Sequence, residues 1–96
     1  MAREKLEKLV MTLQDIQTAI KQHIPDATVH VMDPNQDGQH LQAIVVSPSF
    51  RNMMLVKQHH MVMKPLKEAF QGAVHAFALK TFTPEKWEEQ KTQYGY

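Results

Sequence analysis

Val74-His75-Ala76-Phe77-Ala78-Leu79-Lys80-Thr81-Phe82-Thr83-Pro84-Glu85-Lys86-Trp87 decides the reading of this chain. Val74 to Phe82 alternates and is rich in β-branched and aromatic residues, the pattern of a half-buried strand. Thr83 suits an N-cap and Pro84 the first helical position, where its missing N–H costs nothing. Glu85 falls in the first turn, favoured by the helix dipole, and Trp87 is placed to fold its ring back over the sheet edge. The strand therefore stops at a short C-terminal helix. His75 stands at the head of an otherwise apolar strand, which makes it the leading candidate functional residue; the competing reading is a partly buried histidine satisfied by backbone.

Working outward, Leu6, Leu9, Val10, Leu13, Ile16, Ala19 and Ile20 recur at three- and four-residue spacing. They form one apolar stripe on a helix of about five turns, which Pro25 ends. Ala27 to Met32 alternates, with Val29 and Val31 on one face and Thr28, His30 and Met32 on the other. Asp33 to Gly38 is dense in turn formers and reads as a loop. Leu41 to Ser47 is a second strand, and its continuous Ile44-Val45-Val46 run suggests a central position covered on both faces. Ser47-Pro48-Ser49 breaks it, the serines reading as cap residues.

From Asn52 to Phe70 the residues Met54, Leu55, Val62, Leu66 and Phe70 follow helical spacing, but Pro65 cannot sit inside a helix without loss of a hydrogen bond and a clash. Two helices with a bend near His59 or His60 are expected, the second closed by Gly72. The order becomes helix-strand-strand-helix-helix-strand-helix. A short loop allows an antiparallel first pair, whereas the helical pair supplies the long crossover of a parallel one. An α+β fold follows, with a three-stranded mixed sheet and helices on one face.

The 96 residues suffice for one domain, with a core of about residues 6–87 and a tail of 88–96. Without cysteine the chain alone can build neither a disulfide framework nor a thiolate metal site. Eleven basic against ten acidic residues give a net charge of +1, unlike the basic footprint of a dedicated nucleic-acid binder. The N-terminus carries no apolar signal core, and no apolar run approaches the roughly 20 residues of a membrane span. A cytoplasmic protein, or the mature form of an organellar one, is expected, with no membrane partner.

Three blocks in order, Val45-Val46-Ser47-Pro48-Ser49-Phe50, Leu55-Val56-Lys57-Gln58-His59-His60-Met61-Val62 and Val74 to Pro84, resemble the BolA family. The resemblance runs from about Leu6 to Trp87. It implies a class II KH-like fold and a partner, a monothiol glutaredoxin, with which BolA-like proteins share a bridging [2Fe-2S] cluster completed by glutathione. The family's ligating histidine falls on His75. A second ligand usually comes from the loop between the first two strands, where this chain offers His40; the position of the family's loop cysteine falls on Asp37, a harder ligand that ranks below His40. The family's Arg-His-Arg is Gln58-His59-His60 here, which removes two fixed positive charges, and the glycine usual two positions after the phenylalanine is Asn52.

The functional reading is a non-enzymatic adaptor or regulator of iron–sulfur trafficking or iron and redox sensing. The isolated protein is expected to carry no cofactor and to be a monomer or weak homodimer. The alternative is a DNA-binding transcriptional regulator acting through its helical pair, with Arg51, Lys57, Lys64 and Lys67 on phosphates and His59 or His60 near bases. Against it stands a plain solvated helix face. The three glycines are too far apart for the Gly-x-x-Gly clamp of an RNA-binding KH domain. Catalysis lacks a cysteine nucleophile, a His-Glu-x-x-His helix, a phosphate loop and a Gly-x-Ser-x-Gly elbow. Met53, Met54, Met61 and Met63 read as core filler rather than a copper(I) site.

Overall fold

A computed structural model describes residues 13–36, 40–67 and 76–96. Helix α1 (Leu13–His23) is followed by strands β1 (Thr28–Met32) and β2 (His40–Val46), a 3-10 turn (Pro48–Phe50) and helix α2 (Leu55–Met63). Strand β3 (Ala76–Phe82), helix α3 (Pro84–Gln90) and a second 3-10 turn (Lys91–Tyr94) complete it. The sheet order is β1-β2-β3, with β1 antiparallel and β3 parallel to β2. The mixed sheet expected from loop lengths is thus present, with β2 in its centre.

One sheet face carries Val29, Leu41 and Val45, which pack with Ile16, Ile20 and Ile24, Phe50, Val62 and Leu66 into the main core. Ile16 and Ile20 lie one turn apart on α1, as its apolar stripe requires. Ile44 and Val46 point to the opposite face and are buried there too. The C-terminal segment covers that face, and it departs from the arrangement with helices on one side only. Trp87 packs on Phe82 and stacks on His30, ring centroids 5.4 and 5.7 Å apart, and Tyr96 closes on His30 at 4.3 Å. The residues read as a tail from sequence therefore form part of the fold.

The joints use the polar residues marked in sequence. Ser47 caps the first 3-10 turn by accepting from the Ser49 N–H at 3.0 Å, and donates to Asp26 Oδ1 at 2.6 Å. The Ser49 hydroxyl donates to the other Asp26 oxygen at 2.7 Å. These bonds favour the charged carboxylate and hold the Asp26 pKa below its ordinary value. They tie the α1–β1 turn to the end of β2. Thr83 caps α3 by accepting from the Lys86 N–H at 3.3 Å, with Pro84 at the first helical position.

The bend in the helical pair lies elsewhere than expected. Helix α2 runs unbroken through His59 and His60 and ends at Met63, with Lys64 N–H still bonded to the His60 carbonyl. Pro65 has no N–H for the Met61 carbonyl, so the regular helix stops just before the proline rather than a turn earlier. Residues 64–67 form a turn, and the remainder of the segment expected to be a second helix, up to Gly72, lies outside the described residues.

His30 sits on the lidded face, where burial lowers its pKa from 6.5. The folded state then binds this proton less readily than the unfolded chain, so the contribution of neutral His30 is complete above about pH 6.5 and fades as pH falls below it. Urea midpoints measured at about pH 7.5 and pH 5 are expected to drop more for the native sequence than for His30→Phe; equal drops would show that the aromatic lid does not discriminate against the charged imidazole.

Candidate functional site

Parallel pairing sets His40 level with Ala76 and Val46 level with Phe82. His40 is the exposed first residue of β2, and Ala76, the first described residue of β3, follows His75 in sequence. His75 itself and Asp37 lie outside the described residues. Beside this mouth of the sheet is a recess of about 310 Å³ lined by Pro34, Asn35, His40, Gln42, Phe77 and Ala78. No group of three or more His, Asp or Glu side chains able to hold a metal occurs among the described residues. A metal group at this end therefore needs donors beyond the described residues.

The residues proposed to meet nucleic acid do not form one surface. Lys57, His60, Lys64 and Lys67 recur at three- and four-residue spacing along α2 and the turn after it, and the last three line a groove of about 220 Å³ with Met63. His59, one residue from His60, is rotated by about 100° and lines a different recess with Leu55 and Leu79. Arg51 donates through Nε to Glu85 at 2.9 Å. The guanidinium beside it holds the Glu85 pKa below its ordinary value, chiefly through that hydrogen bond. Arg51 is thus paired with an acid, and His59 faces away.

Gln58 has a structural task that periodicity did not reveal. Its amide nitrogen donates to the Met53 carbonyl at 2.8 Å, and its oxygen accepts from the Thr81 hydroxyl at 2.7 Å. One buried side chain thereby joins the entry of α2 to β3. Met54 and Leu55, counted with the apolar helical stripe, are instead 75 % and 60 % exposed, and Val56 is 64 % exposed. The signal was available: three consecutive apolar residues cannot share one helical face.

The family model for BolA-like proteins matches residues 6–86. The chain belongs to the BolA family. It is similar to the Acid stress protein IbaG of Escherichia coli K12, 31% identical over 87 residues that make up 90% of this chain and 100% of that protein. It is 34% identical over 62 residues to the DNA-binding transcriptional regulator BolA of Haemophilus influenzae, a match spanning 64% of this chain and 60% of that one. Among solved structures, a bolA protein homologue from Coxiella burnetii superposes with a TM-score of 0.68 at 30% identity, covering 81% of this chain and 97% of that one. Where the BolA resemblance has a glycine, Asn52 holds a left-handed φ of 60°. Asparagine visits that region more readily than other residues with a Cβ, so the turn into α2 is retained.

Replacing Gln58 by leucine removes both bonds at similar volume, leaving the Thr81 hydroxyl and Met53 carbonyl without this partner. A loss of about 1–3 kcal/mol in urea unfolding is expected. Leu55→Ala, at an exposed position, should stay within about 0.5 kcal/mol.

Proposed function

We propose that this BolA-family chain is a non-enzymatic adaptor, cytoplasmic or organellar, that binds a monothiol glutaredoxin and shares a bridging [2Fe-2S] cluster with it. The supporting observation is the level pairing of His40 with Ala76, one peptide link from His75, beside an open recess. Four ligands are needed, and imidazoles replace thiolates on one iron in Rieske-type centres. This reading gives His75 and His40 to one iron and the thiolates of glutaredoxin and glutathione to the other. A chain with no cysteine and an exposed imidazole at a strand mouth suits a cluster completed by a partner. The cluster would supply the group that is delivered or sensed; the protein's part would be to offer His40 at the head of β2 and His75, the residue before β3 in sequence.

The isolated protein is expected to be colourless, and to form a one-to-one heterodimer with a cluster-loaded monothiol glutaredoxin and glutathione, with a changed visible CD spectrum. His75→Ala should abolish the mixed signature with the far-UV CD unaltered, whereas His40→Ala should reduce it in part. An unchanged spectrum without comigration on gel filtration would sink the adaptor reading, and loss through His59→Ala with His75→Ala unaffected would move the site to α2.

A second reading, a DNA-binding regulator, is favoured by the Lys57, His60, Lys64 and Lys67 stripe and by the name of the Haemophilus relative. Four side chains give few phosphate contacts. Gel-shift affinity is expected to be weak and to fall steeply with salt. Lys64→Ala with Lys67→Ala should flatten the salt dependence, and Arg51→Ala should barely change it. Tight, sequence-selective binding at physiological salt would make regulation the primary reading.

A further inference from the structure

Strand β3 is an edge of the sheet, and its free side forms the floor of a groove. The Phe82 carbonyl accepts from Ser47 N–H at 3.0 Å, so Phe82 turns its backbone groups toward β2. In a parallel ladder alternate residues do the same, which leaves the backbone N–H and C=O of Leu79 and Thr81 pointing outward. Neither has an inter-strand partner on that side among the described residues. Leu55 and His59 of α2 form one wall of a recess of about 250 Å³ at this edge, and Gln90 and Tyr94 of the C-terminal segment form the other. The recess shares Leu55, Thr81, Phe82 and Gln90 with a larger cavity of about 580 Å³ at the entry to α2, whose rim includes the exposed Met54.

We propose that this groove takes an extended, acidic segment of a partner protein, which adds beside β3 as a fourth strand. The outward row of N–H and C=O groups specifies an extended backbone, because only a strand can use donors and acceptors at that repeat. Met54 and Leu55 supply apolar contact for alternate side chains of the guest. Among the described residues Lys80 and Lys86 are the fixed charges lining the two cavities, and no described carboxylate joins them. That balance selects acidic residues in the guest and disfavours a second copy of this chain, which would bring another Lys80 to the same edge. The inference does not rest on the cluster reading, since its observations use neither histidine of that reading and His40 is not among the groove's lining residues.

The test is selection from a random display library of eight-residue peptides on the full chain, followed by amide chemical-shift mapping with the enriched peptide. Enriched sequences should alternate apolar and acidic residues, shift the Leu79 and Thr81 amides, and lose at least tenfold in affinity against Lys80→Glu with Lys86→Glu, two exposed positions that leave the core intact. N-methylation of alternate peptide amides should abolish binding, whereas His40→Ala should leave it unchanged. No enrichment, enrichment of peptides without acidic residues, or shifts that avoid β3 would overturn the proposal. So would concentration-dependent shifts of the same amides without peptide, which would assign the edge to a second copy.

Discussion

Parallel pairing of β3 with β2 is the constraint from which the remaining arrangement follows. Two parallel neighbours cannot be joined by a tight turn, so the chain leaves β2 at Ser47 and must return along the sheet to enter β3 at Ala76, level with His40. The return path carries α2 over the core face, where Val62 and Leu66 meet Ile16 and Ile20. It also makes the two ends of the sheet different. At one end Val46, Phe82 and the Asp26–Ser47–Ser49 bonds lie near the aromatic lid. At the other, His40 and Ala76 open onto a recess. A polar group at the first end would displace apolar packing, whereas at the second it meets solvent at little cost.

Gln58 shows how a change of side chain alters electrostatics while retaining a joint. The position touches the carbonyl of Met53 and the hydroxyl of Thr81 in a buried setting. An arginine, which the family resemblance places here, donates but cannot accept, and it brings a charge that is costly to bury without a partner. Glutamine donates to the carbonyl, accepts from the hydroxyl and stays neutral. Arg51 is paired with Glu85. Among the described residues of α2 and the turn after it, the fixed positive charges are therefore those of the exposed Lys57, Lys64 and Lys67 stripe.

Among the described residues the order of elements was legible because periodicity changes along the chain and Pro25, Pro48 and Pro84 mark breaks. Thr83-Pro84 located the start of α3 because capping is a local interaction between a hydroxyl and an N–H three residues on. The mixed sheet followed from loop lengths, and the central place of β2 from its unbroken apolar run. What escaped depends on contacts between residues distant in sequence. Packing of Trp87 and Tyr96 on His30 has no periodic signature, so 88–96 read as a tail. The exit from α2 was misplaced because Pro65 limits where a helix ends without saying how late it can continue. For the site, sequence named His40 but not its register; the strand pairing put it beside Ala76. His75 rests on sequence and family resemblance.

Lys80 connects the stability of the fold to what its edge can recruit. An edge strand with free hydrogen-bonding groups invites association, and a lysine on it opposes pairing with a like-charged copy. The same charge attracts an acidic strand, so one residue both limits self-association and selects a guest. Ala76 and Phe82 are separated by six residues of strand, which is about 20 Å. The recess at the His40 mouth reaches Phe77 and Ala78, and the groove begins at the next residue, Leu79, so the two adjoin along one strand. A group held at His40 and a strand held along β3 would therefore be neighbours on the same two strands, and coupling between them has two routes, the β2–β3 pairing and direct contact near Ala78.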